Sequence, residues 1–149
     1  FFVVTDKQEI QVLGTQFNVN AYNDEPYTLT TLVEGSLRVT ASESGQSILL
    51  KPGQLAMLSD RITVEKADIE QQLAWKNGEF VYRGSHLASI LRQVSRWYDI
   101  EVDCPRNLGE LQFSGVISRS TPLSAIIKMI ESTQEVNINI NGRRLIVSE

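Results

Sequence analysis

The 149-residue chain has a single cysteine, Cys104, and a single histidine, His86. One of each cannot supply a disulfide framework, a CxxC pair or a Cys/His zinc site, so no metal is expected. A serine triad would have to use His86, which the spacing puts in the first turn of a helix, where a surface or capping role is the simpler reading. The chain has no GxxxxGK[ST], GxGxxG or S-x-x-K string. Phosphate cradles and Ser-Lys nucleophiles therefore have no local signature, and no cofactor is expected. A run of about 18 apolar residues, enough to span a bilayer, is also missing, as is a charged-then-apolar leader, so the chain as given reads as soluble.

Hydrophobic residues make up 42% and charged residues 21%, which is the profile of a folding chain. Its length suits one domain, or two small ones that would each be marginal alone. Charge separates the halves: residues 1–70 carry a net −5 and residues 71–149 a net +1. The first half would repel nucleic acid. The second lacks the interleaved aromatic and basic residues of nucleic-acid-binding sheets, so no nucleic-acid partner is expected.

From Phe1 to about Lys66 apolar residues recur at every second position. Phe17, Val19 and Ala21 form one such set; Leu37, Val39 and Ala41 form another. Turn formers separate the sets at Asn23–Pro26, Glu34–Gly35, Ser44–Gly45 and Lys51–Gly53. No three-turn helix fits, so residues 1–70 are expected to be all-β, as a roll, a sandwich or a short solenoid.

Between residues 68 and 78 the pattern changes. Leu87, Ile90, Leu91, Val94 and Tyr98 mark one helix face after Ser85 as N-cap, and Ile100 and Val102 alternate behind it. Thr121–Pro122 opens a second helix with Leu123, Ile126, Ile127 and Ile130 on its face, followed by the alternating Val136, Ile138 and Ile140. Six apolar pairs superimpose at an offset of 36 residues: Leu87 with Leu123, Ile90 with Ile126, Leu91 with Ile127, Val94 with Ile130, Ile100 with Val136, and Val102 with Ile138. Asn141–Gly142 signals a hairpin returning through Arg143–Arg144 into Leu145–Val147. A unit that is apolar on one helix face and one strand face buries both only by packing on its copy. The expected whole is α+β: an all-β part followed, over residues 71–149, by a repeated βαβ-βαβ layer with two helices on a small sheet. Pro105, Asn107 and Gly109 fall in the crossover between repeats, read as loop.

The strings VLGTQFNVNAY (Val12 to Tyr22), TLVEGSLRV (Thr31 to Val39) and LKPGQLAML (Leu50 to Leu58) resemble the periplasmic sensor domain of FecR-type anti-sigma factors. WKNGEFVY (Trp75 to Tyr82), LASILRQVSRWYDIEV (Leu87 to Val102), FSGVISR (Phe113 to Arg119) and PLSAIIKMIESTQEV (Pro122 to Val136) resemble the C-terminal domain of the same proteins in Bacteroidetes, itself similar to the short N-terminal module of secretins and TonB-dependent receptors. The resemblance implies a signalling part of a single-pass inner-membrane protein. Its periplasmic region would receive the state of an outer-membrane TonB-dependent receptor from the receptor's signalling domain. A cytoplasmic segment, absent here, would hold an extracytoplasmic-function sigma factor. The sensor domain would then be truncated at its N-terminus.

Several residues become site candidates. Open sheet edges admit a partner strand, and the expected edges are Gln112–Ile117 and Arg143–Val147, with Gln112, Phe113, Arg143, Arg144 and Leu145 as contact candidates. Solvated guards of an edge are the simpler reading of the two arginines. Trp97–Tyr98 is an exposed contact pair or, by preference, core; Trp75 is expected to seal the boundary; Cys104 is expected to be buried and inert. In some members of the resembled family the chain is cut at the Gly-Thr bond of the VLGT string, which is Gly14–Thr15 here. A glycine in a strand bulge is the simpler reading of that pair, and no enzymatic turnover is expected. The alternative function is a periplasmic β domain that binds a carbohydrate or other small ligand directly. It has little support, because residues 1–70 contain no tryptophan and few aromatics beside carboxylates.

Overall fold

The computed structural model describes residues 1–149, which divide into two compact units, Phe1–Leu73 and Ala74–Glu149. Each has its own buried apolar cluster.

In the first unit β1 (Phe2–Val4), β2 (Gln8–Asn20), β3 (Thr28–Ala41), β4 (Ser47–Leu50), β5 (Gln54–Leu58) and β6 (Ile62–Lys66) form one antiparallel sheet in the order β1-β2-β3-β5-β6, with β4 also on β3. β3 pairs with β2 along one side; on the other its Thr28–Thr31 end holds β5 and its Leu37–Thr40 end holds β4. Leu32 and Leu37 lie five residues apart and would occupy opposite faces of a flat strand. Both are fully buried in one cluster with Ile10, Val39, Leu50 and Leu58. The register against β2 slips between them, with Phe17 opposite Leu32, Gln16 opposite Glu34 and Leu13 opposite Ser36, and this irregularity turns both leucines to the same core. The turn expected at Glu34–Gly35 does not form, because those residues sit inside β3 opposite an irregularity in β2. The turn at Lys51–Gly53 does form, with Gly53 at φ +85, the value a type II turn requires.

One fully buried polar pair crosses this core, the Gln8 side-chain amide donating to Thr30 Oγ1 at 2.8 Å. A short helix absent from the sequence expectation, α1 (Ile69–Leu73), follows β6. Asp68 Oδ1 accepts the Gln71 N–H at 3.1 Å, satisfying a donor at its start.

The second unit opens with a 3-10 turn (Ala74–Asn77) and then shows the 36-residue repeat as two strand-helix-strand passes. They are β7 (Glu79–His86), α2 (Leu87–Tyr98), β8 (Glu101–Asp103), and β9 (Gln112–Ser118), α4 (Leu123–Glu131), β10 (Asn137–Asn141). A one-turn helix, α3 (Arg106–Gly109), occupies the crossover, and β11 (Arg144–Ser148) ends the chain. All six apolar pairs of the repeat belong to one core cluster. The first strands of the passes, β7 and β9, pair antiparallel with each other; the second strands, β8 and β10, flank β11. The strands thus form two small sheets rather than one, the pair β7–β9 and the three-stranded β10-β11-β8, in which the terminal hairpin places β11 between the second strands of the two passes.

Local start and stop signals are displaced by one residue. His86, not Ser85, is the N-cap of α2, and Pro122, not Thr121, is that of α4; neither side chain caps. Asn141 pairs with Arg144, so the hairpin loop is Gly142–Arg143, with Gly142 at φ +65. α3, in the stretch read as loop, lies close against α2 at Gly109, where a Cβ would be 3.0 Å from Ala88 Cβ.

Candidate functional site

Open strand edges are the natural contact sites of such small sheets, since their outward N–H and C=O groups can take another strand. β9 pairs with β7 alone. In an antiparallel pair alternate residues turn their backbone groups to the partner and the rest turn away. Arg119 N–H reaches Gly78 O and Leu87 N–H reaches Leu111 O, both at 2.7 Å. The groups of Phe113, Gly115 and Ile117 therefore face β7, and those of Gln112, Ser114 and Val116 face outward. No residue of β9 is charged, and Val116 is 55% exposed.

The other edges of this unit are guarded. β7 carries Glu79 and Arg83, β8 carries Glu101 and Asp103, and charges on an edge deter pairing. On β10 the outward Ile138 N–H is taken by Glu131 Oε2 at 3.1 Å. β9 is the edge with neither device.

The second expected edge, Arg143–Val147, is corrected. β11 is the central strand, paired parallel to β8 and antiparallel to β10. Leu145 is 1% exposed in the core, and so is no contact residue. Arg143 bonds the Asp99 carboxylate and, at 2.9 Å, the Asp99 carbonyl at the left-handed end of α2; Arg144 pairs with Asp103 at 3.0 Å. Both arginines are largely exposed, and exposed pairs of this kind contribute little stability. They tie the hairpin to the α2–β8 corner. Gln112 and Phe113 do lie on the open edge, Gln112 exposed and Phe113 half-buried against the core.

The aromatics fall where helix meets sheet. Trp97 meets Phe80 edge-on at 5.2 Å, and the Arg119 guanidinium lies 4.0 Å from its ring centroid. Tyr98 packs on the core and its hydroxyl bonds Thr121 O; Tyr82 is buried and donates to Gln93 Oε1 at 2.7 Å. Burial pushes both phenols above their ordinary pKa, so they act as neutral donors. Trp75 lies in the 3-10 turn, 48% exposed. The Cys104 thiol is half-buried, and burial, then the neighbouring Asp103, raise its pKa and suppress the reactive thiolate. His86 is exposed, its Nδ1 3.1 Å from Glu110 O.

Gly14–Thr15 occupies an irregularity of β2, where the register against β3 slips on both sides of Gln16. Gly14 has φ +59. Thr15 Oγ1 donates to Ser36 O at 2.8 Å, and Gly35 stands close enough that a Cβ would meet Gly14 O at 2.8 Å and Thr15 Oγ1 at 2.9 Å. A carbonyl is a poor base, and the hydroxyl bonded to it is not activated as a nucleophile. Both the unchanged protein and Thr15→Ala are expected to give one intact mass by electrospray. Fragments ending at Gly14 and starting at Thr15, seen only in the unchanged protein, would contradict this.

The first unit has an open cleft of about 510 Å³ whose lining includes Asp6, Lys7, Glu43 and Asp60 and no aromatic side chain. Sugar sites usually offer a ring to stack on, so the cleft adds nothing to the direct ligand-binding alternative. No helix is long and apolar enough to cross a membrane.

Residues 79–147 match the family model described as FecR, C-terminal. Two crystal structures of a proposed anti-sigma factor from Parabacteroides distasonis ATCC 8503 share the fold. The 1.65 Å structure has a TM-score of 0.85 at 20% identity, with 100% of this chain and 71% of the other covered. The 2.50 Å structure has a TM-score of 0.83 at 20% identity, covering 100% and 70%. No curated protein matches the sequence.

Proposed function

We propose that this chain, whose residues 79–147 form a FecR C-terminal domain, is the periplasmic signal-receiving part of a transmembrane anti-sigma factor. It would relay the state of an outer-membrane TonB-dependent receptor to an extracytoplasmic-function sigma factor, by protein-protein contact and without catalytic turnover. The supporting observation is the unguarded edge of β9 in a unit whose other edges are each blocked or charged. A signalling domain of the same βαβ type has strands of its own to add there, so that main-chain bonds give affinity and alternate side chains give specificity.

The test is calorimetric titration of this chain with the signalling domains of the TonB-dependent receptors of the same organism. Val116→Pro serves as the variant: the Val116 N–H faces away from β7, so proline there spares the existing ladder while removing an outward donor and obstructing a new strand. The variant is expected to keep its unfolding midpoint and to bind at least about tenfold more weakly. Unchanged affinity, or binding to glycans and not to the receptor domain, would overturn the proposal.

A further inference from the structure

We infer that the β9 edge selects an extended partner segment carrying a large apolar side chain and a carboxylate four residues apart, the first set beside Gly115 and the second beside Arg119. This rests on the strand-addition reading above and adds the chemistry of the occupant.

Phe113, Gly115 and Ile117 alternate on one face of β9. Ile117 is buried and Phe113 packs on the core, yet a Cβ built on Gly115 meets nothing within 4 Å. The core-facing side of the edge therefore has a gap with apolar residues before and after it. Gly115 has no positive φ that would require glycine, so the gap is not the by-product of a turn. A neighbouring strand runs about 4.8 Å away, and its side chain opposite a strand glycine leans into the space the glycine leaves. A large apolar side chain fits this space.

Arg119 supplies the charge. It extends the β9 ladder by one residue through its bond to Gly78 O. Its guanidinium rests on the Trp97 ring, a neutral partner that holds the side chain in place and leaves the positive charge uncompensated. Tryptophan and arginine together are the residue types that dominate binding energy at contact surfaces. Arg119 is the first residue past β9, four residues from Gly115 along the continued ladder. A partner strand of either direction therefore meets both with residues four apart, which sets the spacing of the motif.

The test uses three synthetic strand peptides, otherwise uncharged, bearing Phe and Glu, Phe and Lys, or Ala and Glu four residues apart. Binding is read from the backbone amide NMR shifts of Gln112, Ser114 and Val116. The Phe/Glu peptide is expected to bind roughly three- to tenfold more tightly than either of the others. Arg119→Glu is expected to reverse the preference between Glu and Lys peptides, and Gly115→Val, which has room for its side chain, to remove the preference for Phe over Ala. Equal shifts from all three peptides, or none up to about 5 mM, would overturn the inference. Equal shifts would leave strand addition standing; an unaffected Val116→Pro variant in the receptor titration would remove both.

Discussion

Gly35→Ala is expected to destabilise the first unit by about 3 kcal/mol, which for a unit this small lowers its midpoint by more than about 10 °C. Two costs combine. Gly35 has φ +93, a region that costs an L side chain roughly 1–2 kcal/mol. A Cβ there would also lie 2.8 Å from Gly14 O and 2.9 Å from Thr15 Oγ1, so the β2 irregularity and the Thr15–Ser36 bond must move with it. Gly45→Ala separates the two contributions, because Gly45 has φ +75 with nothing within 4 Å of its Cβ position. That variant is expected to lose only about 1 kcal/mol. The difference, read by urea unfolding followed by far-ultraviolet circular dichroism, isolates the close approach of the two strands. Equal losses would mean that the pairing of Gly14–Thr15 with Gly35 is not tight.

Leu145→Ala is expected to cost the second unit about 3 kcal/mol. Leu145 is 1% exposed on the central strand of a three-stranded sheet, opposite Ile140 on β10 and Val102 on β8, so truncation leaves a cavity that neither neighbour closes. Arg144→Ala, one residue away, removes only an exposed pair with Asp103 and is expected to change stability by less than about 1 kcal/mol. Fluorescence of Trp75 and Trp97, both in this unit, reads the two variants. A small effect at Leu145 would place β11 at an edge, where the sequence reading had it.

That contrast also marks how far the amino-acid pattern reaches. The helix faces, the 36-residue repeat and most of the core were legible, because period and burial are properties of one segment at a time: Leu87, Ile90, Leu91, Val94, Ile126 and Ile130 are all buried. Which strand lies at an edge is a property of partners. Arg143–Arg144 looked like an edge guard, yet the turn after Asn141 carries β11 into the middle of its sheet. Glu34–Gly35 looked like a turn because glycine at positive φ serves turns and strand irregularities alike; only the facing Gly14–Thr15 decides between them. Within the candidate site, Gln112 and Phe113 were expected on a sheet edge and lie on the open one. Val116, Gly115 and Arg119 were missed, since an absent side chain and an absent charge become signals only when the other edges are seen to be guarded.

The most direct test of the central claim is hydrogen exchange of this chain alone and with the receptor's signalling domain, resolved to single amides. The expected result is slowed exchange at Ser114 and Val116, whose N–H groups face outward from β9, with Ile138, already held by Glu131, unchanged. Protection confined to β10, or to the first unit, with Ser114 and Val116 exchanging as before, would contradict it.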